Sequence, residues 1–413
     1  MKNKAVFTVF EHQTLKVGDK VNDVIFLEKH LKALVKYYGN GLSYFDLVHK
    51  GVKFCHFVGV IKINDITIEI LPKVDKGSEK AEWRKLLIDM LRVVGAFNIA
   101  APSTSSLSLK NNFILDLYFE LFLKEVEYLV HLGLIKQYRQ QDSNQKVLKG
   151  KLQLSKHLRK NIVHKEQFFV NHTVYDVQHK VHQLLYKTLR LIYDTSSNPL
   201  IEGKVKQLLF YFPQMPDIKV RDTEFQRIII NRKLKNYEQA LDIAQLLLLN
   251  YHPDLAKGEN DVLALMFNMN DLWERFVCVT LQRKLKDYNV KGQVNKLFWK
   301  GQKNGQSYMR PDILLEHKSK NLRVVLDTKW KHIEKATPNS NDLRQLYAYS
   351  HFFNADKVAL VYPGNIDLNS GYYQEGNKEC AIIQIRCSSN INTFIESILT
   401  NLNCWLPKLN HQN

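Results

Sequence analysis

Two short apolar runs, Ile313–Leu315 and Val324–Leu326, flank a polar stretch, and each has an aspartate at one end. Asp312 follows Pro311 at the head of the first run, Asp327 closes the second, and Lys329 stands two positions further on. Short apolar runs bounded by polar turns read as buried strands. Paired as a hairpin, these two would bring Asp312, Asp327 and Lys329 to one edge of a sheet. Like charges held together at a buried edge are costly without a cation. Two carboxylates can hold Mg²⁺ or Mn²⁺, and a lysine beside them can orient a water and offset developing negative charge. That is the chemistry of phosphodiester hydrolysis. The alternative reading is a surface salt-bridge cluster.

The segments around this pair extend the pattern. Residues 341–353 read as a helix with Asn341 or Asp342 as N-cap, and Gln345 and Tyr349 share one of its faces. Both could reach a phosphate or the metal site; ordinary helix packing is the alternative. Residues 269–285 form a helix with Leu272, Phe276, Val279 and Leu285 on its core stripe. Glu274 points off that stripe and could add a contact to a metal-bound water, or simply face solvent. Thr328 lies between Asp327 and Lys329, where its backbone carbonyl could complete a metal site. Strands at 357–363 and 381–386 follow the 341–353 helix. From about residue 256 the order of helix, strands, helix and strands predicts an α/β domain with a mixed sheet.

The first hundred residues are β-rich. Residues 5–10 alternate weakly, and 58–71 alternate clearly about an Asn64-Asp65 turn, which predicts a hairpin. A helix follows at 81–95, with Gly95 as its stop. The small polar segment 101–109 is a linker. Beyond it the chain turns helical: 112–130 is apolar on most sides, and 173–194 and 236–250 are amphipathic. Between them, 137–161 is polar and basic, either a phosphate-contacting or partner-contacting surface or a solvated loop. The expected architecture is α+β and multidomain: a β-rich N-terminal domain at 1–108, a mainly helical middle region at 109–255 and the α/β domain at 256–413.

A net charge of +18 over 413 residues favours a polyanionic partner, most simply nucleic acid. The 45% hydrophobic and 24% charged content is ordinary for a globular chain and excludes global disorder. Five cysteines at wide spacings, with no CxxC, argue against a disulfide framework or zinc ribbon and fit a reducing cytoplasm. The N-terminus has too short an apolar run for a signal peptide, and no apolar segment reaches the roughly 18 residues of a membrane span. No Walker loop, G-x-G-x-x-G or G-x-S-x-G occurs, so no bound nucleotide is expected. His179 and His182 lie three apart on a predicted helix, but without a third ligand near in sequence.

Taken together, Asp312, Asp327 and Lys329, with Gln345/Tyr349 as a QxxxY helix, resemble the core of the PD-(D/E)xK nuclease superfamily. More closely, the chain resembles the McrC family, the nuclease subunits of McrBC-type modification-dependent restriction systems. Residues 58–75 resemble that family's N-terminal hairpin and 147–154 its G-[KR]-[LI] element. Residues 230–248 and 265–277 resemble its helices before the nuclease core. The resemblance implies a PD-(D/E)xK restriction-endonuclease-like C-terminal domain that cleaves modified, methylated double-stranded DNA with Mg²⁺. It also implies a separate partner, a McrB-like AAA+ GTPase hexamer that reads the modification. The N-terminal region docks in the ring's pore and stimulates nucleotide hydrolysis; the hairpin at 58–71 and the segment at 137–161 are the contact candidates. One departure is DTK in place of the E-x-K of many members, which keeps a hard oxygen ligand. A stand-alone repair nuclease, or a non-catalytic activator of an AAA+ motor, are the rival readings.

Overall fold

The computed structural model describes the chain apart from residues 1–4, 22, 39–43, 64–65, 74–79, 95–113, 253–261, 303–304, 332–337, 366–367, 376–377 and 407–413. The Asn64-Asp65 turn, the Gly95 stop and the 101–109 linker lie outside the described residues. The chain divides into two compact units, one made of residues 1–108 and 253–413, the other of residues 109–252. Where the sequence suggested three successive regions, the first and last segments thus share one unit.

The reason is a strand that sequence periodicity does not assign. Val262–Asn268 pairs antiparallel along the whole of Phe57–Ile63. That strand pairs antiparallel with Ile66–Leu71, which in turn runs parallel to Ala5–Phe10. The expected hairpin is therefore an interior element with a neighbour on each outer side. Nearly all its described residues are buried. Ile61, Ile63, Ile66, Ile68 and Ile70 join Phe7, Phe26 and Phe54 in the core beneath this sheet. Gly59 takes φ +137°, and an added Cβ would lie 2.0 Å from the Leu265 carbonyl oxygen, so the close strand approach requires glycine there.

Asn268 ends this sheet and caps the next element: its side chain accepts from the Asn270 amide, and the helix Met269–Lys284 begins. Beyond it lies a six-stranded mixed sheet in the order Tyr288–Gly292, Ile313–His317, Arg323–Thr328, Lys357–Pro363, Glu379–Ile385, Asn369–Tyr372. The first two pairings are antiparallel, the next two parallel, and the last antiparallel. The edge strand Asn369–Tyr372 is wholly exposed, which explains why it lacks an apolar signature. Val324–Leu326, Val358–Val361 and Ala381–Ile383 read as continuous apolar runs because helices cover both faces. On one face Trp273 and Phe276 stack with Phe394 of the helix Ile391–Trp405. On the other, Leu346, Tyr349 and Phe353 pack over Leu314, Val325, Val358 and Leu360. The helix carrying Leu346 spans Ser340–Phe352, and its N-cap is Asn339, whose side chain accepts from the Asn341 amide. Asn341 and Asp342, the capping residues expected from sequence, fall inside the first turn.

Between the helix Met269–Lys284 and the strand Gln306–Met309 the chain forms two separate strands. Tyr288–Gly292 joins the sheet, whereas Lys296–Lys300 leaves it and pairs with Gln306–Met309 as a separate two-stranded ribbon.

The second unit contains the buried helix Ile114–Leu132, ended at Gly133 with φ +87°, and helices Lys180–Thr195, Pro199–Tyr211 and Glu238–Leu249. Two expectations change here. The basic segment 137–161 is not a loop: Gln137–Gln145 is a strand, Lys151–Leu152 another and Leu154–Lys160 a short helix. The amphipathic stretch from 173 is helical only from Lys180, because Phe168–Asp176 pairs antiparallel with Gln137–Gln145 along its full length. Gln137–Gln145 is polar on both faces, a pattern that a one-sided apolar criterion does not detect, whereas Phe168–Asp176 buries Phe169, Val170 and His172. His182 bonds to the Val177 carbonyl at 2.7 Å and the Tyr237 hydroxyl at 3.0 Å, and His179 to the Ile135 carbonyl at 3.0 Å. Both histidines are structural. Burial, with His179 beside it, pushes His182 down to about 4.

The described cysteines, Cys55, Cys278, Cys380, Cys387 and Cys404, are all free thiols. Among the described residues no helix is long and apolar enough to cross a membrane.

Candidate active site

The pairing Ile313↔Leu326 is the last register position of the hairpin, and one step outward lie Asp312 and Asp327. Asp312 Oδ2 accepts the Thr328 amide at 2.6 Å and the Thr328 hydroxyl at 2.9 Å. This clamp fixes one aspartate against the strand that carries the other. Asp327 itself is 1% exposed. Its Oδ2 pairs with Lys329 Nζ at 2.7 Å, and its Oδ1 accepts from the Gln345 amide at 3.3 Å.

The Ser340–Phe352 helix fastens both halves of the hairpin. The Gln345 amide donates to the Tyr349 hydroxyl at 2.9 Å, and that hydroxyl donates to the Arg310 carbonyl at 3.1 Å, two residues before Asp312. Gln345 and Tyr349 thus lie on one face, as their spacing requires, and that face looks onto Asp327 and the approach to Asp312.

Electrostatics follow from this crowding. Burial raises the Asp327 carboxyl to about 6, with the Asp312 charge adding to it and Lys329 opposing it. Burial likewise raises Glu274 to about 7, and Asp312 is the next cause, which places Glu274 within electrostatic reach of the pair. A hydrogen bond from Gln293 offsets part of that rise. Gln293 has φ +50° and its amide donates to the Asp312 carbonyl at 2.9 Å. It had no signal in the sequence beyond the preceding Gly292, over which the Cys278 sulfur packs so closely that a Cβ would lie 2.9 Å from it.

Two tryptophans back the site, and the sequence did not mark them as functional. Trp330, directly after Lys329, meets Trp273 edge-on at 5.5 Å between centroids, and Trp273 donates to the Val361 carbonyl at 3.3 Å. The Trp330 indole donates to Glu11 Oε1 at 2.7 Å.

The donor set fits a hard dication. Asp312 and Asp327 offer oxygen ligands, and the Asp327 carboxyl is raised first by burial and then by the Asp312 charge, both of which a bound cation would offset. Among the described residues no group of three or more His, Cys, Asp or Glu is placed to hold a metal. A site with two carboxylates leaves positions for water and phosphate oxygens, the usual habit of Mg²⁺.

The model of the McrBC 5-methylcytosine restriction system component family matches residues 52–363. The chain belongs to that family. The match runs from the N-terminal sheet through Asp312, Asp327, Lys329, Gln345 and Tyr349 to the end of the strand Lys357–Pro363. Two solved structures are similar in fold. One is a half-complex from a tetradecameric assembly of Thermococcus gammatolerans McrB AAA+ hexamers with bound McrC. It has a TM-score of 0.75 and 21% identity, over 97% of this chain and 100% of the matched chain. The other is the cryo-EM structure of the Thermococcus gammatolerans McrBC complex, with a TM-score of 0.52 and 20% identity, over 69% of this chain and 89% of the matched chain. No curated protein is significantly similar in sequence.

Proposed function

We propose that this McrBC-family chain is the nuclease subunit of its restriction system, hydrolysing phosphodiester bonds of modified, methylated double-stranded DNA in a PD-(D/E)xK-type domain. The observation that carries this reading is the meeting of Asp312, Asp327 and Lys329 at one end of two central strands, held by Gln345 and Tyr349.

Asp312, Asp327 and the Thr328 backbone carbonyl are the groups that would hold Mg²⁺ or Mn²⁺. Such an ion, when bound, supplies Lewis-acid activation of the phosphoryl group and lowers the pKa of a bound water. Lys329, 28% exposed, is free enough to orient the attacking water and to neutralise charge that develops on the phosphoryl oxygens. Gln345 and Tyr349 keep Asp327 and the Arg310–Asp312 segment at fixed separation. Glu274, whose carboxyl burial raises to about 7, would in its ionised form add a contact to a metal-bound water.

The partner in this reading is a McrB-like AAA+ GTPase hexamer, supported by the assembly in which the similar fold occurs. The contact surface we favour for it lies in the 109–252 unit. There Val147, Leu148, Leu158 and Val163 are exposed apolar side chains beside the ribbon 137–145/168–176. The net charge of +18 supports duplex binding through phosphates.

The deciding experiment is cleavage of methylated and unmethylated plasmid with Mg²⁺, with and without the AAA+ protein and GTP. Cutting that requires partner, nucleotide and methylation is expected. Cutting by this chain alone, indifferent to GTP and methylation, would replace the reading with a stand-alone nuclease. Stimulated GTP hydrolysis without any cutting would make it an activator.

A further inference from the structure

The segment running from Gln293 into the catalytic strand is chemically unlike its surroundings. Between Gln293 and Arg310 there are four cationic residues, Lys296, Lys300, Lys303 and Arg310, and no carboxylate. The ribbon formed by Lys296–Lys300 and Gln306–Met309 belongs to neither large sheet, and every residue of its first strand is exposed. Leu297 is 44% exposed, Trp299 56% and Tyr308 54%. Large aromatic side chains left in water at this level on a basic ribbon are not explained by packing within the chain.

The ribbon is nevertheless anchored. Lys296 Nζ donates to the Phe352 carbonyl at 2.8 Å and sits 4.5 Å above the Phe352 ring, and Phe298 packs edge-on to the same ring at 5.5 Å. Phe298, in the bulge between Leu297 and Trp299, sets one edge of its ring against the helix and is itself 55% exposed, as its two neighbours are exposed. The Trp299 ring lies over Gly305, where an added Cβ would approach it to 3.5 Å. The base is thus fixed to the helix that carries Gln345 and Tyr349, while a strand of this length projects by about 15 Å.

We propose that this ribbon is a DNA-contacting element. Lys300 and Arg310 would engage phosphates, and Leu297, Trp299 and Tyr308 would lie against sugars and base edges in a groove of the duplex that feeds the active site. The inference rests on the nuclease reading in one respect: it takes the scissile strand to lie at Asp312 and Asp327. The ribbon leads into Asp312 through Arg310 and Pro311 alone, so a duplex presented to those carboxylates must pass beside it. A two-stranded ribbon has the width to enter a major groove, and apolar wedges on such elements deform duplexes from the minor groove. Absence of any carboxylate along the ribbon gives the charge complementarity that a polyanion requires.

The test measures binding apart from cutting. The full chain is titrated against a short fluorescein-labelled duplex in EDTA, followed by anisotropy at several salt concentrations, with sedimentation velocity on the same samples. Trp299→Ala/Tyr308→Ala is expected to weaken binding at least about tenfold with an unchanged melting temperature. Trp299→Phe/Tyr308→Phe should bind near the wild-type level. Lys300→Gln should lower the slope of log K against log salt by about one. Wild-type affinity in the double alanine variant would overturn the proposal, as would a loss of self-association in place of DNA binding, which would make the ribbon a contact between two copies. Failure of the wild-type chain to bind duplex would also overturn it. If the wild type binds, the alanine variant does not, and neither cuts plasmid under any condition, the nuclease reading falls and the ribbon assignment stands.

Discussion

Glu11 accepts a 2.7 Å hydrogen bond from the Trp330 indole, joining the end of the first strand to the residue after Lys329. The Lys73 amide donates to the same carboxyl oxygen at 2.9 Å. Burial raises Glu11 to about 7, although both hydrogen bonds oppose the rise. Its folded pKa therefore lies above the unfolded value of 4.5. The native state binds more protons between these values, so the stabilisation is full below about 4.5 and is lost as pH rises through about 7. Glu11→Gln should flatten that part of the profile, removing a pH-dependent contribution of about 1–3 kcal/mol. Urea unfolding of both proteins from pH 5 to pH 8 measures it. Parallel profiles would show that Glu11 does not titrate in this range.

Lys329→Met should cut DNA about a hundred- to thousandfold more slowly, because it removes the cation that faces the developing charge. It also takes away the group that opposes the rise of Asp327, so the metal-free variant should hold an Asp327 proton to higher pH than the wild type. Cleavage rates report the first effect, and carboxyl titration followed by NMR reports the second. A variant that folds and cuts at the wild-type rate would remove Lys329 from the mechanism.

Mg²⁺ should stabilise the wild-type chain, since a dication relieves the repulsion between Asp312 and Asp327. At ten times its dissociation constant the gain is about 1.4 kcal/mol, or a rise in melting temperature of about 2–3 °C for a chain of this size. Differential scanning fluorimetry with and without Mg²⁺ should show this shift for wild type and not for Asp312→Asn or Asp327→Asn. Equal shifts in all three proteins would place the metal elsewhere.

Tyr349→Phe deletes the hydroxyl that accepts from Gln345 and donates to the Arg310 carbonyl. Loss of these bonds should cost about 1 kcal/mol and, by loosening Asp312 relative to Asp327, lower kcat about tenfold. KM for DNA should change little. A fall in stability with unchanged kcat would confine Tyr349 to packing.

Gly59→Ala should be among the most damaging single changes in the N-terminal sheet. The new methyl would meet the Leu265 carbonyl at 2.0 Å with φ at +137°. A loss of about 3 kcal/mol or more is expected from the combined clash and backbone strain, read as a lowered melting temperature or insoluble expression.

The sequence by itself determined the elements whose signal is local. The apolar runs of the central strands, the helix face shared by Gln345 and Tyr349, and the placement of Asp312 and Asp327 at strand ends follow from periodicity and spacing, which a short window contains. Tertiary structure decided what depends on distant partners. Val262–Asn268 became a strand because Phe57–Ile63 offered it an edge. Phe168–Asp176 left the helical pattern because Gln137–Gln145 paired with it, and Lys296–Lys300 left the sheet for a bulged ribbon of its own. Glu11 and Gln293 acquired their places beside the site only through the closure of the chain. A hydrogen bond between residues 11 and 330 has no trace in local composition, because its energy depends on burial and geometry that exist only after folding.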